Sequence, residues 1–188
     1  MFLSITVTYP GDVKSMVGEN LIRNPGRPKI LLPTTSGSAS EATNIVVISI
    51  EDEQIKSGIV TPHNFADVAI VDPMMTITVP AKTTAPTGLD ALSHAVEACM
   101  SREAIRLIAE NLRLAYIDGQ DLKARYAMSL SALLSGLAFG NAGVCGGHAA
   151  AHAVKYKAPH GVSCALALNI CHQCHMDSFV LTFELASC

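Results

Sequence analysis

The residues that could do chemistry in this chain are one aspartate and four histidines, which lie in two separate stretches of mostly apolar sequence. The stretches are GLDALSHAVEAC at 88–99 and GGHAAAHAVKYKAPHGV at 146–162. The candidate residues are Asp90, His94, His148, His152 and His160. Each stretch contains a pair spaced i, i+4, and on a helix such a pair projects from one face. The two stretches could therefore supply side chains to one common site.

This combination of side chains is typical of a metal site. Two or three imidazoles with one carboxylate suit a divalent first-row metal such as Fe²⁺, Zn²⁺ or Mn²⁺. An incomplete protein shell leaves coordination positions open for water or a substrate oxygen, as a catalytic metal requires. Burial of Asp90 without a cation would be costly, which also favours a nearby positive charge. The alternative is that either pair belongs to an ordinary solvated helix face, because a single Asp-x-x-x-His pair is common by chance.

The elements that must position these residues change in type near Pro80. Before that point, short runs rich in Val and Ile are bounded by turn-forming residues and predict strands. These runs are KILLP at 29–33, NIVVISI at 44–50 and ADVAIVD at 66–72. The last two are almost continuously apolar, which favours strands that are covered on both faces.

After that point the apolar residues recur at helical spacing. The helical runs are LDALSHAVEACM at 89–100, EAIRLIAENLRLAYI at 103–117, LKARYAMSLSALLSGLAF at 122–139 and GGHAAAHAV at 146–154. We therefore predict two parts that pack directly on each other. They are a partial α/β domain at 1–80 and a partial, all-helical domain at 81–188.

Composition narrows the class of protein. Hydrophobic residues make up 49% of the chain and charged residues 15%, which favours extensive burial and fits a homo-oligomer. The net charge of −3 and the absence of a basic run argue against nucleic acid or an anionic membrane as a partner. No apolar run is long enough to span a bilayer, and the N-terminus lacks the charged segment of a signal peptide. We therefore expect a cytoplasmic protein whose six cysteines are reduced.

Four collinear motifs resemble successive signatures of the iron-containing alcohol dehydrogenases, the group III metal-dependent family. The motifs are PTTSGSASEATN at 33–44, ADVAIVDP at 66–73, TGLDALSHAVEA at 87–98 and GGHAAAHAVKYKAPHGV at 146–162. The resemblance implies a dehydroquinate synthase-like architecture. In that architecture an N-terminal α/β dinucleotide-binding domain precedes a helical domain, and the catalytic metal lies in the cleft between them. On this resemblance the chain is an incomplete member of the family.

The resemblance also implies a role for individual residues. The implied metal ligands are Asp90, His94, His148 and His160. His152 matches a histidine near the nicotinamide and the substrate, which makes it the candidate catalytic residue for proton relay. The implied cofactor-binding residues are Thr34, Thr35, Ser38 and Lys56. Without the resemblance, the two threonines would be an ordinary turn and Lys56 a surface lysine.

The activity that the resemblance implies is NAD(P)-linked interconversion of a primary alcohol and its aldehyde. A bound Fe²⁺ or Zn²⁺ would polarise the alcohol oxygen and favour the alkoxide. Hydride would then pass from the carbinol carbon to the nicotinamide of NAD or NADP. The sequence does not separate Fe²⁺ from Zn²⁺, NAD from NADP, or one small alcohol from another.

Departures from the family pattern leave a second function open. Ahead of the Thr-rich segment, family members carry a Gly-rich turn that cradles the cofactor diphosphate, and no such glycine cluster is present here. His148 and His160 are closer in sequence than in typical members. Pro86 stands where a helix former is expected and is tolerated only near a helix start. The alternative is therefore a non-catalytic, truncated remnant that binds a divalent metal but cannot bind cofactor productively.

The C-terminal tail departs from the family altogether. It contains Cys171-His172-Gln173-Cys174-His175, which matches the C-x-x-C-H pattern of covalent haem attachment. Covalent haem attachment requires export, for which the sequence carries no signal. Adventitious metal binding by these side chains is therefore the favoured alternative. A changed reading frame or a truncated gene is the simpler explanation of the tail.

Overall fold

In the computed structural model, which describes residues 2–9, 11–52, 55–98, 101–144, 146–154 and 158–170, short strands precede a run of longer helices. The strands are β1 (Gly18–Glu19), β2 (Ile30–Leu31), β3 (Ile45–Ile50), β4 (Ile55–Val60) and β5 (Val68–Ala69). The helices are α1 (Phe2–Thr6), α2 (Ala81–Glu97), α3 (Arg102–Ile117), α4 (Leu122–Ala142), α5 (Gly146–Val154) and α6 (His160–Ile170). This order confirms the predicted fold class, a small α/β part followed by a helical part.

The strands form two small sheets. In the first, β4 lies between β1 and β3, and it runs parallel to β1 and antiparallel to β3. In the second, β2 pairs in parallel with β5, with Ile30 opposite Val68. The sequence missed β4, because Lys56, Ser57 and Gly58 interrupt its apolar pattern.

The prediction that NIVVISI and ADVAIVD are covered on both faces is wrong. Val47 of β3 is 48% exposed, and Val68 of β5 is 47% exposed. Among the described residues, β3 pairs only with β4 and β5 only with β2, so each strand is an edge. An edge strand has one unpaired side and less cover than the interior of a larger sheet.

Helices α2, α3 and α4 pack together around an apolar core in which most of the buried side chains are alanines. The buried members are Ala91, Ile108, Ala115, Ala124, Met128 and Ala132. Gly88 of α2 faces this core, and a Cβ atom there would lie only 2.3 Å from Leu112 Cδ1. Small residues therefore set the short distance between α2 and its neighbours.

A buried arginine ties α4 to the start of α2. The Arg125 side chain is 3% exposed and donates hydrogen bonds of 2.9 Å to the carbonyl oxygens of Gly119 and Val79 and to Thr84 Oγ1. These acceptors lie in the α3–α4 loop, in the segment before α2 and in the first turn of α2. The network therefore fixes where α2, the helix with the candidate aspartate, enters the bundle.

Within the part of the chain that the structure describes, no one helix combines the length and the apolar composition that a membrane crossing requires. Leu122–Ala142 together with Gly146–Ala153 meets the length and composition test as a pair that is bent by 99°.

Arg125→Ala is expected to lower the free energy of unfolding by roughly 2–4 kcal/mol, because buried acceptors lose their donor and a cavity forms. The measurement is urea denaturation followed by circular dichroism. Arg106→Ala is the control, since Arg106 lies on the exposed face of α3 and forms its ion pairs with the exposed residues Glu103 and Glu110. Equal losses in the two variants would contradict the role given to Arg125.

Candidate metal centre

Helices α2, α5 and α6 bring four ligand-type side chains to one point. One atom each from Asp90, His148, His160 and Cys164 lies within 4.8 Å of the other three. Asp90 Oδ1 is 3.6 Å from His148 Nε2 and 3.7 Å from His160 Nε2. Cys164 Sγ is 3.6 Å from His160 Nε2. The two stretches that the sequence singled out therefore meet in space.

A glycine allows α6 to approach α2 at this point. A Cβ atom on Gly161 would lie 1.8 Å from the carbonyl oxygen of Pro86 and 2.8 Å from the backbone nitrogen of Asp90. Only a residue without a side chain fits there, since backbone atoms cannot move aside as a flexible side chain can. The Pro-His-Gly turn thus places His160 directly over the α2 face that carries Asp90.

Glu97 holds the His148 ring in position. Glu97 Oε2 lies 2.5 Å from His148 Nδ1, and Oε1 accepts a 3.3 Å hydrogen bond from the His148 backbone N–H. The Glu97 side chain is 2% exposed. A carboxylate on one ring nitrogen leaves the other, Nε2, facing Asp90, which is the usual arrangement behind a metal-binding histidine.

Several buried polar atoms at this point lack a hydrogen-bond partner. Among the described residues they include Asp90 Oδ1 and His148 Nε2, whose separation of 3.6 Å is too long for a hydrogen bond. An unsatisfied buried polar atom costs about 1–3 kcal/mol, so native structures avoid it. Tetrahedral metal ligands lie about 3.3–3.6 Å apart given ordinary metal–ligand bond lengths. The donor set therefore fits a divalent cation.

His94 lies beside this group of four but is not one of its members. Its ring is stacked between Phe139, at a centroid distance of 4.1 Å, and His148, at 4.3 Å. Burial lowers the pKa of His94 to about 4, and the neighbouring imidazoles act in the same direction against the opposing charge of Asp90. The ring is therefore neutral at physiological pH, and its buried Nδ1 has no hydrogen-bond partner in the described structure.

The charges within the group favour a protonated His148. Burial acts to lower the pKa of His148, but the facing Asp90, Cys164 and Glu97 outweigh burial and raise it to about 10. Burial likewise acts to raise the pKa of Asp90, but the facing His148 and the other nearby imidazoles outweigh it and lower the pKa. A metal cation that binds here must displace the proton held by His148.

A cavity of about 540 Å³ adjoins the group. Its walls include Asp90, His94, His148, His152 and His160, and an apolar side formed by Ile45, Val46, Val47, Phe139 and Val144. Of the four residues expected to bind cofactor, Ser38 and Lys56 line this cavity. The cavity thus extends from the candidate metal ligands to two of the residues that we expect to bind the cofactor.

Thr34 and Thr35 are not among the described residues that line the cavity. They begin the turn that carries Ser38, and this turn packs closely against α2 and α4. A Cβ atom on Gly37 would lie 2.7 Å from the Thr87 carbonyl oxygen, and Ser36 Oγ is 3.0 Å from Ser129 Oγ. Their role in cofactor binding stays a prediction.

Sequence reasoning missed two members of the site, Glu97 and Cys164. For both residues, helical spacing from a predicted histidine ligand could have indicated their place in the site. Glu97 follows His94 by three residues on the same face of α2, and Cys164 follows His160 by four on α6.

The predicted haem-type motif at 171–175 lies outside the described residues.

Two family models match the chain. One, described as the Fe-containing alcohol dehydrogenase family, C-terminal, matches residues 84–180, and the other, iron-containing alcohol dehydrogenase, matches residues 2–73. Long-chain-alcohol dehydrogenase 1 of Geobacillus thermodenitrificans is 45% identical over 84% of this chain and 42% of its own length. The 1,3-propanediol dehydrogenase of Citrobacter freundii is 41% identical over 88% of this chain and 46% of its own length. The chain thus spans less than half the length of these two curated relatives.

Solved structures agree with this match. The crystal structure of a 1,3-propanediol oxidoreductase superposes with a TM-score of 0.80 at 40% identity, over 86% of this chain and 46% of that one. Sulfoacetaldehyde reductase from Bifidobacterium kashiwanohense, solved in complex with NAD⁺, superposes with a TM-score of 0.80 at 29% identity, over 89% and 48%. Both the α/β part and the helical part therefore have solved counterparts.

Glu97→Gln is expected to weaken metal binding by about 10–100-fold, because His148 loses the carboxylate that orients its ring. The measurement is competition with a chromophoric chelator. Glu110→Gln is the control, because Glu110 is an exposed acid on α3 that pairs with Arg106. Unchanged affinity in Glu97→Gln would contradict the orienting role.

Metal affinity is expected to rise with pH. His148 has a raised pKa of about 10, so it holds a proton at neutral pH that the metal must displace. Protons therefore compete with the cation, and the association constant should rise about tenfold per pH unit for each proton displaced. Calorimetric titration in two buffers of different ionisation enthalpy counts those protons. An affinity that is constant between about pH 6 and pH 8 would contradict this assignment.

Proposed function

This chain belongs to the iron-containing alcohol dehydrogenase family, and from that premise we propose that it serves a metal-dependent, NAD(P)-linked interconversion of a small alcohol and its aldehyde. The observation that carries the proposal is the meeting of Asp90, His148 and His160 at the wall of a cavity, where the buried atoms Asp90 Oδ1 and His148 Nε2 lack hydrogen-bond partners among the described residues. Iron is the metal that the family's description names, and Zn²⁺ suits the same donors.

In this proposal Asp90, His148 and His160 hold the cation, with His94 and Cys164 beside them. When bound, the cation supplies Lewis-acid polarisation of the alcohol oxygen. Asp90 contributes the negative charge that offsets the cation, and Glu97 keeps His148 pointing at it. The buried position of the group, with Asp90 at 7% exposure, strengthens these charge interactions relative to the protein surface.

His152 is the proposed proton relay. It lines the same cavity, and its ring centroid lies 5.1 Å from that of His160. Burial lowers the pKa of His152, and the nearby cationic groups His160, His148 and Lys56 add to that effect. His152 is therefore neutral at physiological pH and can accept a proton at a ring nitrogen.

The remaining walls of the cavity suit the two reactants. The apolar side, which includes Val47, Phe139 and Val144, suits the hydrocarbon part of a small alcohol and helps to exclude water. Lys56 and Ser38 offer a positive charge and a hydroxyl to the cofactor, either NAD or NADP, with Thr34 and Thr35 in the adjoining turn. From the composition we also propose a cytoplasmic location and a homo-oligomeric assembly.

The alternative function is metal binding without hydride transfer. This alternative is favoured because only part of the expected cofactor site reaches the cavity in the described structure. Ser38 and Lys56 line the cavity, whereas Thr34 and Thr35 do not. The two functions share the metal centre and differ only in reduction of the nicotinamide. One experiment can therefore separate them.

The metal-free protein is expected to bind one Fe²⁺ or Zn²⁺ and then to reduce NAD⁺ in the presence of a short primary alcohol. Stoichiometry is measured by elemental analysis after desalting, and turnover by absorbance of the reduced nicotinamide. Asp90→Asn should weaken metal binding by more than about 100-fold and abolish turnover, because the site loses its anionic ligand. Asp52→Asn is the matched control, since that carboxylate is 84% exposed and pairs with Lys14.

Stoichiometric metal without nicotinamide reduction would leave the metal-binding alternative in place. Unchanged metal affinity in Asp90→Asn would reject the centre itself, and with it both functions.

A further inference from the structure

We propose that the open edge of β3 binds a second copy of this chain, with the two β3 strands antiparallel across a two-fold axis. The joined sheet then contains strands in the order β1, β4, β3, β3, β4 and β1. The inference gives the proposed homo-oligomer a defined interface, and it does not depend on the metal centre.

β3 is the longest open edge among the described strands. It pairs one-to-one with β4 along all six residues, and no described strand pairs with its other side. Its sequence, IVVISI, contains no charged residue, proline or glycine, and five of its six residues are β-branched. Val47 near its middle is 48% exposed. Soluble proteins usually protect such an edge with a charge, a proline or a bulge, and β3 has none of these.

The two faces of β3 allow a copy to continue the sheet without turning it over. Val46 and Ile48 pack against the apolar cluster that contains Ile59, whereas Val47 and Ser49 line the cavity. Directly opposed residues of an antiparallel pair lie on the same face of the sheet. A two-fold axis perpendicular to the sheet therefore joins the packed face of one copy to the packed face of the other.

Charge selects the direction and the register of the pairing. The exposed acids Glu51 and Asp52 follow β3 directly. In a parallel pair each would lie beside the same acid of the copy, and like charges in opposed positions are destabilising. In an antiparallel pair centred on Val47, Glu51 lies beyond the end of the strand, opposite Thr43 of the partner subunit. A centre one residue later would instead place Glu51 opposite the apolar Ile45 of the partner subunit.

The outer edges of the joined sheet indicate that assembly stops at two copies. The outer strand β1 contains only Gly18 and Glu19. The backbone has a positive φ at Gly18, +127°, and at Asn20, +55°, so the chain turns away from an extended course on this edge. A short edge of this kind, with a charged residue, is a poor template for another strand. Pairing through β3 uses the same surface in both copies, so the dimer is closed.

The pairing also places the two cavities side by side. With Val47 on the two-fold axis, Ile45 lies opposite Ser49 of the partner subunit. Both residue positions belong to the cavity face of β3. The partner subunit thus extends the apolar wall of each cavity, which links dimerisation to the shape of the candidate site.

The test is sedimentation velocity over a range of protein concentrations, in a reducing buffer that keeps the tail cysteines from cross-linking. The unmodified chain is expected to show a reversible monomer–dimer equilibrium. Val47→Lys should lower the association constant by more than about 100-fold, because two ammonium groups then lie together at the axis. Val68→Lys is the matched control and should keep the dimer, because Val68 is 47% exposed on β5 of the other sheet. Circular dichroism checks that both variants fold.

Hydrogen exchange of the unmodified chain keeps the proposal testable if Val47→Lys fails to fold. Amide exchange in residues 44–50 is expected to slow as the concentration rises through the dimerisation range, while exchange in 68–69 stays constant. Constant exchange in 44–50, a dimer that persists in folded Val47→Lys, or assemblies that keep growing beyond two copies would overturn this interface. A monomer at every concentration would overturn the homo-oligomer as well. Metal binding is measured separately, so these failures are distinct from failure of the metal centre.

Discussion

The structure depends on one electrostatic problem: the Asp90 carboxylate and the imidazoles of His94 and His148 are buried together without enough hydrogen-bond partners among the described residues. Asp90 and His148 face each other at 3.6 Å, which is close enough for strong charge interaction but too far for a hydrogen bond. A cation of charge +2 resolves this problem, because it supplies a partner to each unsatisfied atom and offsets the negative charge. The surrounding helices hold these side chains in place.

The helical part is built to hold α2 at a fixed distance from its neighbours. Arg125 anchors the entrance of α2, the small side chains around Ala91 let α3 and α4 approach closely, and Gly161 brings α6 against the carboxylate. The mostly apolar cavity lies against the sheet that contains β3 and Lys56. The candidate metal centre thus lies where the two parts of the chain meet, and the helices position its side chains.

Local sequence pattern was enough to find the helices and most of the candidate centre. The i, i+4 pairs Asp90/His94 and His148/His152 each supplied one member of the group, Asp90 and His148, because a helix converts sequence spacing directly into a shared face. Cys164 obeys the same spacing, but a cysteine in apolar sequence is ordinarily a buried thiol, so only its distance from His160 distinguishes it. Strand exposure was not predictable in this way, because cover of β3 and β5 depends on neighbouring strands that are distant in sequence.

The distribution of donors along the chain has a consequence for how the protein matures. Asp90 emerges from the ribosome well before His160 and Cys164, and these later residues sit on the last helix that the structure describes. An ion bound at the proposed centre would therefore link distant segments, and its coordination would offset the entropy cost of closing so long a loop. Docking of α6 is the step of biosynthesis that should respond to the supply of metal in the cell.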